Sequence, residues 1–235
     1  MMPRSPTRLV SNGRRAQLVV FDLDGTLIDS RRDLADATNA LLIERGGAPL
    51  PVDEVARMVG NGAARLVRRA LTAAGLDPAA PNVLARFLEL YDERLLHHTR
   101  PYDGIPAVLE ALAAGAPLAV LTNKPRAATE RVLDGLGLRH FFRWVHGGDG
   151  PFPRKPDPAA LLDLAAGAGA DPARTVLVGD SAVDLATARA AAARLCLARY
   201  GFGYRIADGD VTPDDEVVDS PAEIPDAVTR LLAPR

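Results

Sequence analysis

The chain is poor in sulfur, in lysine and in long apolar runs. Its single cysteine, Cys196, excludes an internal disulfide in 235 residues. It fits a reducing, cytoplasmic setting and reads as a packing residue. No apolar stretch approaches the roughly 18 residues of a membrane span. Residues 1–16 carry Arg4, Arg8, Arg14 and Arg15, no acid and no apolar segment of the kind a secretory leader needs, so they read as a frayed tail. A net charge of −2 gives no electrostatic reason for nucleic acid or a membrane as partner. The remainder, 48% apolar and 25% charged, is ordinary globular composition. Of 28 basic residues only Lys124 and Lys155 are lysine. Arginine therefore does the routine surface work, and a position that keeps lysine has a use for a compact ammonium, Lys155 more so than Lys124.

What is present alternates. Gln17 to Phe21 is a continuous apolar run, as expected of a strand covered on both faces. Ser30 looks like a helix N-cap with Asp33 as a partial capping box. That helix runs to about Arg45 and stops at Gly46-Gly47. "APLPVDEVARMV" predicts a short second helix, broken by "GNG" at Gly60 to Gly62, and "ARLVRRALTAAG" a third. A fourth carries Leu84, Phe87, Leu88, Tyr91 and Leu95 at helical spacing. From about Thr99 the pattern changes. Strands are expected at "APLAVLTN", "FRWVHGG" and "RTVLVGD", with weaker ones at "CLARY" and "EVVD", and helices between them. This predicts an α/β fold, a Rossmann-like parallel sheet with helices on both faces, interrupted by an inserted all-α cap. The expected boundaries are a core of 17–29 with 101–235 and a cap of 30–100, hinged at Ile28 to Ser30 and Thr99 to Asp103.

Ligands of open α/β sheets bind outside the carboxyl ends of the strands. Those ends carry Asp22-Leu-Asp24-Gly25-Thr26, then Thr122-Asn123-Lys124, then Lys155-Pro156 in a loop, then Asp180-Ser181 with Asp184 one helical turn on. Four carboxylates converging with Lys155 would raise one another's pKa unless a divalent cation sat among them. Hard oxygen donors without a His or Cys set favour Mg²⁺. Thr122, Lys155 and backbone N–H groups suit the oxygens of a phosphoryl group.

The segments "DLDGTLIDS", "LTNKP", "KPDP" and "GDSAVD" resemble, in order, the four motifs of the haloacid dehalogenase superfamily of phosphohydrolases. The insert resembles that superfamily's small helical cap. "VGNGAARLVRRAL", "HHTRPYDG" and "YGFGY" are similar to its bacterial phosphoglycolate phosphatase group, although related sugar-phosphate and pyrophosphate hydrolases share parts of them. The resemblance implies hydrolysis of a small phosphomonoester, 2-phosphoglycolate foremost. Asp22 would be the nucleophile forming an aspartyl-phosphate, and Asp24 the acid and base. Mg²⁺ would sit on the Asp22 carboxylate, the Asp24 carbonyl and Asp180, with Ser181 and Asp184 behind them. Gly25, Thr26, Thr122, Asn123 and Lys124 would surround the phosphoryl group, and Lys155 would offset charge on Asp22 and on the group in transfer. A β-phosphoglucomutase-like mutase uses the same Asp pair and stays open. A receiver-like phospho-binding module is disfavoured by motif order, and dehalogenation by Asp24, an acid that a halide leaving group does not need.

Specificity is expected from the cap. Gly60, Asn61 and Gly62 form a turn able to bring backbone donors over the site, and Arg65 could meet a substrate carboxylate in bidentate fashion. Asp29 reads as an Asx-type residue. His97 and His98 read as dipole partners at a helix end. Tyr200 to Tyr204 either order the site's rim or simply turn the chain. The number of subunits, one or two, is left open.

Overall fold

The computed structural model describes residues 16–233, so the expected tail lies, apart from Ala16, outside the described residues. Strand β1 (Leu18–Phe21) leads through a short β2 (Ile28–Asp29) into four helices: α1 (Arg31–Glu44), α2 (Val52–Ala56), α3 (Ala63–Ala73) and α4 (Val83–Arg94). Then follow β3 (Arg100–Pro101), α5 (Ile105–Ala113), β4 (Leu118–Leu121), α6 (Arg126–Gly135), β5 (Phe142–His146), α7 (Ala159–Ala168), β6 (Thr175–Gly179), α8 (Ala182–Ala190), β7 (Arg194–Ala198), β8 (Glu216–Val218) and α9 (Ile224–Leu232). The terminal helix α9 carries Pro225 in its first turn and was not anticipated from the pattern.

Six strands form one all-parallel sheet in the order β5-β4-β1-β6-β7-β8. The register sets Val20 beside Ala119 on one side and Leu177 on the other. Alternate residues serve opposite faces. Leu18, Val20, Leu121, Leu177 and Leu195 pack with Leu161 and Leu164 of α7, while Val19, Phe21, Val120, Val178 and Cys196 pack with Leu109 of α5 and Val228 of α9. This two-sided burial is why the strands read as unbroken apolar runs. Phe21, fully buried, meets Phe142 edge-on at 6.3 Å. Cys196 is buried and free, as read.

Helices α1–α4 form the all-α cap, with α1 packed along α4. Its entry and exit lie side by side as an antiparallel ribbon, Ile28 opposite Pro101 and Asp29 opposite Arg100. Two local expectations are corrected here. Ser30 precedes α1, but its hydroxyl does not cap the helix: it donates to Asp24 Oδ1 at 2.6 Å. Asp33 closes no capping box. Fully buried, its carboxylate accepts from the backbone N–H groups of His98 and Thr99 and from the Thr99 hydroxyl at 2.7–3.0 Å, tying the cap's first turn to its last residues. The apolar stripe expected on α4 holds at Phe87, Tyr91 and Leu95, with Leu88 partly buried against the core, and fails at Leu84. Val83, Phe87, Leu90 and Tyr91 are buried, whereas Leu84 is 38% exposed, because α4 turns its Val83–Leu90 side toward α1. No described helix is long and apolar enough to cross a membrane.

Candidate active site

From β1 the chain passes to β4 and β5 on one side, then returns for β6, β7 and β8 on the other. The crevice of such a sheet opens where the direction reverses, at the carboxyl end of β1. Asp22 stands there. Its N–H donates to the Val178 carbonyl at 2.9 Å, which extends the ladder by one residue and fixes where the carboxylate projects. The turn that follows must be glycine at position 25 for two reasons. Its φ is +96°, and a Cβ there would lie 1.9 Å from Asp180 Oδ2. Thr26 is buried, and its carbonyl accepts from the Tyr200 hydroxyl at 2.7 Å.

Each lysine of the chain serves one member of the Asp22/Asp24 pair. Lys155 Nζ lies 2.8 Å from Asp22 Oδ1 and 2.6 Å from Asp184 Oδ1. Ser181, through its N–H and hydroxyl, donates to the other Asp184 oxygen. Lys124 Nζ lies 3.0 and 3.2 Å from the two Asp24 oxygens and also donates to the Tyr91 hydroxyl, which comes from α4 of the cap. Burial disfavours both ammoniums, but Asp184 with Asp22 in one case, and Asp24 with Tyr91 in the other, raise both above the ordinary lysine range.

Four carboxylates against two ammoniums leave a formal charge of −2 in a buried site, the deficit one divalent cation would fill. The deficit has an address. Asp22, Asp180 and Asp184 bring oxygens within 4.8 Å of one another. Of these, Asp180 has no cation at salt-bridge distance among the described residues, and one N–H, that of Gly203, donates to it at 2.7 Å. Burial, then the carboxylates of Asp22 and Asp184, hold Asp180 well above the usual carboxyl range. Burial likewise pushes Asp22 up to about 6 against the pull of Lys155. Two buried carboxyls raised in this way, with hard oxygen donors and no His or Cys among them, fit a divalent cation.

The cap roofs this edge over a cleft of about 520 Å³, its open mouth included, lined by Asp22, Asp24, Thr122, Asn123 and Lys124 below and by Val59, Gly60, Gly62, Leu66, Phe87 and Tyr91 above. Asn123 joins the two halves: its side-chain N–H₂ donates to the Gly60 carbonyl and to the Lys155 carbonyl, each at 3.0 Å. The Thr122 hydroxyl accepts from the Lys124 N–H at 3.2 Å, which leaves its own proton for a ligand. Arg65 does not line this cleft. Helix α3 turns Gly62, Ala63 and Leu66 to the cleft, so Arg65 falls on its exposed face. Asn61 is likewise outside the lining, its carbonyl oxygen accepting from Arg69. Asp29 is the Asx-type residue expected, accepting from the Arg31 N–H and guanidinium. His98 donates its N–H to Asp33, away from the cleft.

Sequence reasoning missed two parts of the site and left a third open between two readings. Tyr91 passed as a core residue because it sits at core spacing; the signal was a phenol where its stripe otherwise holds Leu and Phe. Ser30 passed as a cap. The Tyr200–Tyr204 segment proves to be rim, since a Cβ on Gly201 or Gly203 would strike Asp180.

A sequence model described as haloacid dehalogenase-like hydrolase matches residues 16–192. The chain is 42% identical over 200 residues to phosphoglycolate phosphatase of Pseudomonas putida, covering 82% of this chain and 72% of that protein. It is 45% identical over 192 residues to phosphoglycolate phosphatase of Rhodospirillum rubrum, covering 78% of this chain and 80% of that one. The crystal structure of a predicted phosphoglycolate phosphatase from Haemophilus somnus superposes with a TM-score of 0.83 at 31% identity, over 92% of this chain and 99% of that one. The chain belongs to the haloacid dehalogenase-like hydrolases.

Proposed function

We propose, with membership of the haloacid dehalogenase-like hydrolases as the premise, that the chain is a phosphoric monoester hydrolase using Mg²⁺ and acting on 2-phosphoglycolate in the cytoplasm. The observation that carries the reading is the pairing of Asp22 with Lys155 beside Asp180, separate from Asp24 with Lys124, with Asp22, Asp24 and Lys124 lining one capped cleft. Residues 17–29 with 101–235 act as the catalytic core and 30–100 as the cap that selects the leaving group.

An Asp22 carboxylate oxygen attacks phosphorus in line with the ester oxygen. A P–O bond forms to Asp22 and the P–O bond to the leaving alkoxide breaks. Asp24 protonates that alkoxide, then removes a proton from the water that attacks the aspartyl-phosphate at phosphorus, which releases phosphate and restores Asp22. Ser30 and Lys124 hold Asp24 in place for both steps. Lys155 balances charge on Asp22, and Thr122 offers its hydroxyl to a phosphoryl oxygen. Asp22, Asp180 and the Asp24 carbonyl would hold the cation, with Asp184 fixed behind them by Lys155 and Ser181; when bound, it offsets charge on the transferring phosphoryl group.

Phosphate release from a panel of small phosphate esters, with Mg²⁺ and with EDTA, tests the reading. Activity is expected with Mg²⁺, highest on 2-phosphoglycolate, and absent with EDTA. Asp22→Asn is expected to remain folded and to lose at least about a hundredfold in rate, as befits a covalent catalyst. A variant retaining more than that, or phosphate transfer between sugar positions without release, would overturn it.

A further inference from the structure

The hydrolysis just described leaves one hydrogen-bond donor of the cleft without a task, beside a buried ammonium. An ammonium has three N–H groups. The two Asp24 oxygens and the Tyr91 oxygen engage all three of Lys124, so what it has left to offer a ligand is its charge. The Tyr91 oxygen accepts from Lys124, so its own O–H proton is free to donate, and no acceptor among the described residues takes it. Both residues line the cleft, and Lys124 is the one cationic side chain in that lining. The cap's other large side chains beside them are apolar: Leu34, Val59, Leu66, Phe87 and Leu88. Hydroxyl-rich leaving groups would strand polar atoms on that wall, whereas a short anionic acceptor would take the idle Tyr91 proton beside the Lys124 charge.

Position narrows the ligand further. Lys124 lies against Asp24, the residue that handles the leaving-group oxygen, so an acceptor that reaches it must sit close to that oxygen in the substrate. We propose that Lys124 and Tyr91 together recognise a carboxylate borne on the carbon bonded to the ester oxygen, making the enzyme selective for α-phosphoryloxy acids. This rests on the phosphatase reading above and moves acid recognition from α3, where Arg65 was expected to supply it, to α4 and the loop after β4. Because Tyr91 belongs to the cap and Lys124 to the core, the recognition element is complete only with the cap seated as it is here.

The test compares 2-phosphoglycolate with ethyl phosphate, which has a methyl group in place of the carboxylate, on wild type, Tyr91→Phe and Lys124→Gln. Tyr91→Phe keeps the ring that stacks on Phe87 at 5.9 Å, and circular dichroism and melting verify its fold. It is expected to raise KM for 2-phosphoglycolate about tenfold, the worth of one hydrogen bond to a charged group, and to change KM for ethyl phosphate less than about threefold. Lys124→Gln is expected to lower kcat on both esters, since Asp24 loses its partner, and also to abolish most of the preference for the acid. Equal losses on both esters in Tyr91→Phe, or an unchanged preference in both variants of an enzyme that prefers 2-phosphoglycolate, would overturn the proposal alone. A wild type that hydrolyses both esters equally well would overturn the substrate assignment and this proposal with it.

Discussion

The surroundings of the two lysines make an instructive contrast. Lys155 is held within the core: its partners, Asp22 and Asp184, stand at the end of strand β1 and in the first turn of α8. Lys124 has one partner in the core, Asp24, and one in the cap, Tyr91. Identical ammoniums therefore do different things. The first is a permanent counter-charge at the nucleophile and belongs to any phosphoryl transfer carried out on this sheet. The second is finished by an element that arrives from another part of the chain, so its behaviour reports on the cap as well as on the chemistry.

The largest effect that would sharpen or break this contrast is expected from Lys155→Met. Removing one partner from a buried charge cluster costs about 3–5 kcal/mol. A drop in Tm of roughly 10 °C is expected without metal, together with a loss of at least about 10³-fold in kcat on every ester. Lys124→Met removes the same charge, yet should cost about 10- to 100-fold in kcat and leave metal-induced stabilisation intact. Should both variants lose metal binding equally, measured as the Tm gained on adding Mg²⁺, the contrast fails.

A middle-sized effect concerns pH. The Asp22 carboxyl stands at about 6 in the fold against an ordinary 3.8, so the metal-free fold binds its proton more tightly than the unfolded chain does. The stability that Asp22 contributes therefore falls as pH rises from about 4 to 6, the reverse of an ion-paired surface carboxylate. A cation competes with that proton. At a hundredfold excess over Kd, Mg²⁺ should raise Tm by about 5–10 °C at pH 7.5, and the gain should shrink as pH falls through about 6. A gain independent of pH would place the cation away from Asp22. The smallest effect is expected of Arg65→Ala, with kcat/KM for 2-phosphoglycolate within about twofold of wild type, because the side chain lies on an exposed helix face. A tenfold rise in KM would return acid recognition to α3.

The core was legible because its signals are local and repeated. Each strand is an apolar run ended by a polar cluster, and the switch-point rule sends those clusters to one edge, so Asp22, Asp24, Thr122, Lys155 and Asp180 could be grouped before any coordinates. The cap's helices were legible for the same reason, α1, α3 and α4 falling within a residue or two of those expected and α2 lying inside its expected stretch. What the sequence did not disclose was facing. Arg65 and Leu66 are neighbours in sequence, and only the packing of α3 decides which of them meets the cleft. Asp33 has the spacing of a capping box, but two backbone N–H groups and a hydroxyl from residues 65 and 66 positions away win its carboxylate, and such long-range competition leaves no local trace. Tyr91 was hidden by a burial pattern that records where the ring sits and is silent about its oxygen.

The two-rung ribbon of β2 and β3 has an evolutionary implication. Because the chain crosses between lobes at adjacent positions, Ile28 beside Pro101 and Asp29 beside Arg100, excision of everything between leaves ends already in register. A cassette of different length or helix number could be spliced in at that seam without disturbing one strand of the sheet, so new leaving groups become accessible through exchange of a module while the phosphoryl chemistry is inherited whole.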